Sequence, residues 1–259
     1  MTTPDNAHAD LHGDHAIVTG AAGGIGRAIV AALLARGAQV HAIDRDAKAL
    51  AQLAGLHGSG LHAHVADLSD RRDTDRMLAE LQAALRGRCD ILVNNAGISQ
   101  VMHFTDTDDA TLDRLFAVNF NAAFRITRAL VPLLSASDSP AIVNIASELA
   151  LVGQWGYSAY TATKGAILAW SRALAVELAP QRIRVNAVCP GPIDTPMLDA
   201  EFRIASDPAA ARAGEIRTVP IGRLGQPQDI AAVVAFLASP AAGFVTGAAW
   251  TADGGKTAM

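Results

Sequence analysis

The sequence has little of what marks secreted, membrane-spanning or nucleic-acid-binding proteins. It contains 2 cysteines, Cys89 and Cys189, among 259 residues, which excludes a disulfide framework and favours the reduced thiols of a cytoplasmic protein. No apolar run reaches the ~20 residues that span a bilayer, and the amino terminus MTTPDNAHADLHGD lacks the basic and apolar regions of a signal peptide. With a net charge of -4 and both signs interspersed, we expect neither nucleic acid nor a membrane as a partner.

The residue pattern gives no support for a metal site either. His8, His12 and His15 lie near one another in sequence, but no cysteine or glutamate constellation accompanies them. We expect no metal to be required. Residues 1–13 are polar and are predicted to form a poorly ordered tail ahead of a single domain at 14–259.

The composition indicates an α/β protein. Hydrophobic residues make up 51% of the chain and aromatic residues only 5%, which is typical of parallel strands buried between helices. Strand character is found at 15–19, 39–43, 61–65, 90–93, 141–145, 183–188 and 247–252, and helical patterns at 27–37, 71–86, 111–134, 158–179 and 226–238. This alternation predicts a doubly wound parallel sheet with helices on both faces.

A glycine-rich turn joins the first strand to the first helix. Gly20, Gly23, Gly24 and Gly26 follow an apolar strand and open a helical pattern that ends at Gly37. Glycines allow the backbone to approach a pyrophosphate closely, and the helix amino terminus offers free N–H groups. The turn therefore predicts a dinucleotide site, and the alternative is a merely tight strand-to-helix connection.

Two acidic residues follow the next two strands and bear on the choice of dinucleotide. Asp44 ends the second strand, where a carboxylate accepts hydrogen bonds from ribose hydroxyls and repels a 2′-phosphate. Arg45 weakens this preference, because a guanidinium binds phosphate well. Asp67 follows the third strand and is expected either to accept from the adenine amino group or to cap the helix that opens near Asp70. NAD is therefore favoured over NADP.

Tyr160 and Lys164 are the residues most indicative of catalysis. If Ser158 caps a helix that runs to Pro180, the two side chains lie one turn apart on the same face. An ammonium beside a phenol favours the phenolate and lowers its pKa from ~10. We therefore predict that Tyr160 transfers a proton, whereas Tyr157 has only Thr161 at the equivalent position. The alternative is an ordinary amphipathic helix with a snorkelling lysine.

Together these motifs resemble the short-chain dehydrogenase/reductase family over residues 14–255. The likeness rests on TGAAGGIG at 19–26, Asp67, NNAG at 94–97, Asn119, Ser147, YTATK at 160–164, and Pro190-Gly191 with Thr195. It implies a seven-stranded sheet in the order 3-2-1-4-5-6-7, a catalytic tetrad of Asn119, Ser147, Tyr160 and Lys164, a nicotinamide dinucleotide cofactor and a homotetramer. In this resemblance Ser147 binds the substrate oxygen, Lys164 holds the nicotinamide ribose, and Asn119 anchors a water that relays protons.

The expected binding residues lie at the carboxyl edge of the sheet. Those for the dinucleotide are Gly20, Gly24, Ile25, Gly26, Asp44, Arg45, Asp67, Leu68, Asn94, Ala96, Gly97, Tyr160, Lys164, Pro190, Gly191, Ile193 and Thr195. Those for the substrate are Ser99, Leu149, Gln154, Trp155, Tyr157 and Met197, below a mobile lid around 196–218.

This mixed lining favours a small, cyclic or polyol-like secondary alcohol over a strongly anionic substrate, although Arg203 on the lid is a possible anion ligand. Two rival functions stay open. One is an NADPH-dependent 3-oxoacyl-carrier-protein reductase, suggested by GRLGQPQDIAAVVAFLASP at 222–240. The other is a non-catalytic dinucleotide-binding regulator, which would have no reason to keep Ser147, Tyr160 and Lys164 together.

Overall fold

The computed structural model describes residues 10–259 and confirms the predicted sheet. Seven parallel strands pair in the order β3-β2-β1-β4-β5-β6-β7. They are β1 His15–Thr19, β2 Gln39–Asp44, β3 Leu61–Val65, β4 Ile91–Asn94, β5 Ala141–Ile145, β6 Arg184–Pro190 and β7 Ala249–Ala252. Strand order reverses beside β1, which leaves a crevice between the carboxyl ends of β1 and β4.

Helices cover both faces of this sheet in the part of the chain that the structure describes. They are α1 Gly24–Ala35, α2 Ala47–His57, α3 Arg71–Leu85, α4 Asp109–Phe116, α5 Ala122–Leu134, α6 Ser158–Glu177, α7 Pro196–Phe202, α8 Pro208–Arg217 and α9 Pro227–Ala238. One apolar cluster joins α1 and α9 to one face through Ile29, Leu33 and Val234. A second cluster joins α3 and α5 to the other face through Leu81 and Ile126. Burial on both faces explains why the central strands are continuous apolar runs.

Several helix predictions need correction. The 111–134 segment is not one helix, because a π-helical turn at Ala117–Asn121 separates α4 from α5. Ser158 does not cap α6, since it is the first helical residue and Tyr157 is the cap, without a side-chain bond. The sequence patterns missed α2, although Asp46 caps it by accepting from Ala49 N at 2.9 Å. The segment expected to be an unpatterned lid contains α7 and α8.

The first described residues are part of the folded domain rather than of a tail. Leu11 is 1% exposed, its backbone N–H donates to Arg36 O at 3.1 Å, and Asp10 pairs with Arg36 at 2.7 Å. The tail prediction is therefore wrong for residues 10–13. Residues 1–9, with His8, lie outside the described residues.

A row of imidazoles crosses the sheet from β1 to β3. His41 Nε2 lies 3.3 Å from His15 Nδ1, and His41 Nδ1 lies 3.1 Å from His64 Nε2. His62 stacks on His41 with ring centroids 4.8 Å apart. His41 is 2% exposed, so its ring is a buried polar group of the sheet that the sequence patterns did not predict, whereas His15 and His64 are half-buried and His62 is exposed.

Candidate active site

The main cleft of the described chain opens at the carboxyl edge of the sheet, where the strand order reverses. Its volume is about 970 Å³, which is the size of a site for a large organic ligand. The predicted binding residues that line it are Gly20, Gly24, Ile25, Gly26, Asp44, Arg45, Asp67, Leu68, Ala96, Gly97, Ser99, Leu149, Gln154, Trp155, Tyr157, Pro190, Gly191, Ile193, Thr195 and Met197. Ser147, Tyr160 and Lys164 line it as well. Arg203, suggested as an anion ligand, is not among the lining residues.

The glycine loop lies at one end of the cleft, where helix α1 begins at Gly24. A Cβ on Gly26 would lie 2.0 Å from Gly20 O, and a Cβ on Gly24 would lie 2.8 Å from Thr195 Cγ2. Gly20 also has a φ of +62°, which disfavours other residues. The backbone is therefore packed so closely that side chains are excluded, and the amino terminus of α1 is open to a ligand. This cradle fits the pyrophosphate of a dinucleotide.

The Asp44 carboxylate is fixed beside this loop by two backbone donors. Its Oδ2 accepts from Ala22 N at 2.9 Å, and its Oδ1 accepts from Asp46 N at 3.1 Å. Each oxygen keeps lone pairs for ligand hydroxyls. Asp67, after the neighbouring strand β3, also lines the cleft and is oriented by Ser69, whose N–H and hydroxyl both donate to Asp67 Oδ1. It does not cap α3, because Asp70 does so.

Thr19 and Asn95 hold the two strand ends together beneath the cleft. Thr19 Oγ1 accepts from the N–H groups of Asn95 and Ala96, each at 3.0 Å. Asn95 Nδ2 returns bonds to Thr19 O and Gly20 O at 2.9 and 3.1 Å. Both residues lie in the motifs at 19–26 and 94–97, but neither was among the predicted site residues; polar side chains directly after buried strands are the signal for this role.

Asn94 was predicted to bind the dinucleotide, but it does not line the cleft. It is 5% exposed, and its amide donates to Thr127 Oγ1 at 3.0 Å and to Asn144 Oδ1 at 2.8 Å. Asn94 is therefore a buried link between β4, β5 and α5. The prediction failed because alternation along β4 turns Asn94 inward and leaves Asn95 toward the crevice.

Tyr160, Lys164 and Ser147 converge in the middle of the cleft. Tyr160 and Lys164 lie one turn apart on α6, with Lys164 Nζ 5.8 Å from the centre of the Tyr160 ring. Lys164 is 4% exposed, and its ammonium donates to Ile145 O at 2.8 Å. Ser147 follows β5, accepts from Leu149 N at 3.1 Å and lies close enough to the Tyr160 hydroxyl to lower its pKa.

The pKa of Tyr160 is raised, opposite to the predicted direction. Burial is the largest cause and outweighs the effect of the nearby Ser147 hydroxyl, which lowers the pKa. Burial also lowers the pKa of Lys164 to about 8. Removal from water thus opposes ionisation of both groups, and the surroundings of the two side chains do not support the expectation that Lys164 makes the phenol acidic. Sequence spacing gives the neighbour of a phenol but not its degree of burial.

Asn119 lies in the π-helical turn and does not line the cleft itself. Its Oδ1 accepts from Ile98 N at 2.8 Å, and its Nδ2 donates to Ile98 O and Thr163 Oγ1, both at 3.0 Å. It thereby ties the loop after β4 to the helix that carries Tyr160 and Lys164. A π-helical turn widens the helix locally, and Asn119 within it is 2% exposed.

Three glutamates that the sequence patterns missed line the far end of the cleft. Tyr157 Oη donates to Glu201 Oε2 at 2.7 Å, which links α7 to the segment before Tyr160. Lys256 Nζ donates to Glu148 Oε1 at 2.8 Å and to Glu215 Oε1 at 2.5 Å. Trp155, expected in this pocket, is 75% exposed and lies at its rim. The glutamates come from distant segments, so only the fold brings them together.

Residues 10–259 contain neither a membrane-spanning helix nor a metal-binding cluster of side chains. The described helices include none long and apolar enough to cross a membrane. The His, Cys, Asp and Glu side chains of these residues form no group of three or more arranged to hold a metal ion.

Comparison with known proteins gives consistent matches over nearly the whole chain. The family model described as enoyl-(acyl carrier protein) reductase matches residues 20–257. A 2-(R)-hydroxypropyl-CoM dehydrogenase of Xanthobacter autotrophicus is 39% identical over 253 residues, covering 94% of this chain and 98% of that protein. A galactitol 2-dehydrogenase (L-tagatose-forming) of Cereibacter sphaeroides is 40% identical over 251 residues, covering 95% and 96%.

A solved structure has the same fold. It is a 3-ketoacyl-(acyl-carrier-protein) reductase of Brucella melitensis complexed with NADH, with a TM-score of 0.87 and 34% sequence identity. The match covers 95% of this chain and 99% of that one. Fold, sequence and motif order therefore agree.

Proposed function

The chain belongs to the short-chain dehydrogenase/reductase family of oxidoreductases, and on this basis we propose that it interconverts a secondary alcohol and its ketone with NAD. The observation that carries the proposal is the convergence of Ser147, Tyr160 and Lys164 in one cleft with the glycine loop. A regulator that only binds a dinucleotide has no use for such a group.

Bound NAD supplies the chemistry of hydride transfer, and the side chains of the protein handle the substrate oxygen and its proton. In the proposed mechanism the Tyr160 hydroxyl donates a proton to a ketone oxygen, or takes one from an alcohol. Ser147 hydrogen-bonds the same oxygen and orients it. Lys164 offers its ammonium to the nicotinamide ribose. Burial raises the pKa of the phenol, which favours the neutral form that holds the proton needed for ketone reduction.

Asp44 supports the choice of NAD over NADP. Its carboxylate is held toward the cleft by Ala22 N and Asp46 N. The 2′-phosphate of NADP would therefore be repelled by a fixed negative charge, whereas the ribose hydroxyl of NAD would not. Arg45 also lines the cleft. Because a guanidinium binds phosphate well, Arg45 weakens the preference for NAD over NADP. The preference is measured by comparing turnover with NADH and with NADPH on one ketone.

The mixed lining of the far end favours a small, cyclic or polyol-like secondary alcohol. Gln154, Ser99 and Tyr157 offer hydrogen bonds, while Leu149 and Met197 offer apolar contact. Helices α7 and α8 border this end, and we infer that they form the lid predicted around 196–218.

A 3-oxoacyl-carrier-protein reductase is the second candidate function, favoured by the likeness to the Brucella melitensis enzyme. That enzyme is complexed with NADH, so a preference for NAD does not by itself separate the two functions. The two functions are separated by comparing the rate at which the same protein reduces an acetoacetyl thioester with the rate at which it reduces cyclic ketones.

The proposal is tested with a panel of secondary alcohols and NAD, read by the absorbance of NADH. We expect turnover by the wild type and a fall by a factor of about 10² or more in Tyr160→Phe, with binding of NAD retained. Equal turnover by the two proteins contradicts the role given to Tyr160. Turnover of the thioester alone favours the second candidate.

The homotetramer and the cytoplasmic location stay predictions. Phe120, Phe124 and Trp170 form an aromatic group on α6 and the segment around α5, with ring centroids 5.7 to 6.2 Å apart. Phe124 is 40% exposed, so this surface is the one we expect a second copy to cover. A monomer in light scattering at micromolar concentration contradicts the prediction.

A further inference from the structure

The far end of the cleft carries more negative than positive charge. Glu148, Glu201 and Glu215 line it. Lys256 binds Glu148 and Glu215, whereas Glu201 accepts from the neutral Tyr157 hydroxyl and forms no salt bridge within residues 10–259. Two of the three carboxyl groups therefore share one ammonium, and the third, Glu201, has no cationic partner in this part of the chain.

The other basic residues that line the cleft do not correct this imbalance. Arg27 donates to Ala22 O at 2.7 Å, and Arg45 follows Asp44, so both belong to the dinucleotide end. The ammonium of Lys164 is bound to Ile145 O behind Tyr160. Arg212 on the lid pairs with Asp194 and with Asp199, rather than with Glu201.

A buried oxygen at the same end lacks a partner. Glu148 has a side chain only 6% exposed, and within the described chain its Oε2 has no hydrogen-bond partner. A buried carboxylate oxygen without a partner is costly. Glu148 lies directly after Ser147 and lines the cleft, so its charge is close to the reacting group, while this oxygen is buried behind the cleft surface.

The negative charge also acts on Tyr160. Both Glu201 and Glu148 raise the pKa of the phenol, in addition to burial. A ligand with a positive charge at this end would offset both carboxylates, whereas a neutral polyol would offer them hydrogen bonds without balancing their charge. An anionic ligand would meet repulsion from these carboxylates.

We propose, building on the function proposed above, that the preferred substrate carries a positive charge near the reacting carbon, as an amino alcohol or amino ketone does. Glu201 is the specificity-determining residue, since its carboxylate faces the cleft without a cationic partner in the described chain. Glu148 and Glu215 add to the negative field but are already tied to Lys256. The inference goes beyond the reaction class, because it names the charge that distinguishes good substrates from poor ones.

The test uses two ketones that differ in charge at one atom. The probes are 1,1-dimethyl-4-oxopiperidinium, which is permanently cationic, and 4,4-dimethylcyclohexanone, its neutral isostere. We expect wild-type protein with NADH to show a higher kcat/KM for the cation, and Glu201→Gln to lower the ratio of the two values by about tenfold or more. Comparing ratios between proteins cancels the different intrinsic reactivity of the two carbonyls.

Two further variants distinguish loss of the negative charge at position 201 from a nonspecific disturbance of the structure. Glu201→Asp keeps the carboxylate and is expected to keep most of the preference. Asp199→Asn removes one charge from the same helix, but Asp199 is paired with Arg212 and does not line the cleft, so the ratio should stay as in the wild type.

The outcomes also distinguish this inference from the proposed function. Turnover of the neutral ketone with a ratio that is the same in wild type and Glu201→Gln overturns the inference and leaves the proposed function standing. Failure of wild type to reduce either ketone, together with failure of the alcohol panel, overturns both.

Discussion

Replacing His41 with glutamine is expected to make the stability of the protein less sensitive to acid. His41 is 2% exposed and lies between the imidazoles of His15 and His64. Burial, followed by the effect of the neighbouring imidazoles, lowers the pKa of His41 from 6.5 to about 3. Glutamine keeps one donor and one acceptor for the two neighbours but does not titrate.

The sign and size of the effect follow from the difference between the folded and unfolded states. The unfolded chain binds a proton at this position below about pH 6.5, whereas the folded chain stays neutral until about pH 3. The stability that neutral His41 contributes is therefore complete above about pH 6.5 and is lost as the pH falls toward 3. One pKa unit corresponds to about 1.4 kcal/mol, so at about pH 4.5 the loss is on the order of 3 kcal/mol.

The assay is urea unfolding, followed by tryptophan fluorescence at one protein concentration, between about pH 4.5 and 7.5. The quantity of interest is the difference in unfolding free energy between wild type and His41→Gln. Groups that do not interact with His41 cancel in this difference, including Asp14, whose pKa burial raises to about 6 and which acts in the opposite direction. The exposed His103 provides a control, His103→Gln. A wild-type-minus-variant difference that does not change with pH would refute the reasoning.

Three further substitutions test the cleft. Asp44→Ala removes the carboxylate fixed by Ala22 N and should narrow the ratio of NADH to NADPH turnover by about tenfold or more, as measured on one ketone; an unchanged ratio contradicts its role. Gly26→Ala puts a Cβ 2.0 Å from Gly20 O and should abolish dinucleotide binding in calorimetry, because the loop must open. Thr19→Val removes the acceptor of two backbone N–H groups, so urea unfolding should show a loss of about 1–3 kcal/mol.

The sheet was predictable from the sequence because buried parallel strands are short, continuous apolar runs between glycine and polar turns. The stretch at 15–19 matches β1 residue for residue, and the predicted strand order is confirmed. Strand ends were less accurate, since β6 extends to Pro190, two residues past the apolar run. Helices α2, α7 and α8 were missed because short alanine-rich segments carry little periodicity; the caps Asp46, Thr195 and Asp207 were the available signals.

The features of the candidate site that depend on short sequence spacings were predictable. Those that depend on burial in the folded protein were not. Tyr160 and Lys164 share a helix, so their four-residue spacing sets their relation. The pKa of Tyr160 is raised rather than lowered, because the burial of its side chain depends on segments far away in sequence. Glu201 and Glu215 gave no local signal, since their partners, Tyr157 and Lys256, lie about forty residues away.

The two buried thiols can be used to measure local opening of the apolar clusters in which they lie. Cys89 and Cys189 are both 0% exposed and lie in different apolar clusters, and burial raises the pKa of each thiol. Because alkylation requires an accessible thiolate, a maleimide reacts with each cysteine only when its own cluster opens. Mass spectrometry of the two labelled peptides over time would therefore give separate opening rates for these two regions, with no foreign probe introduced.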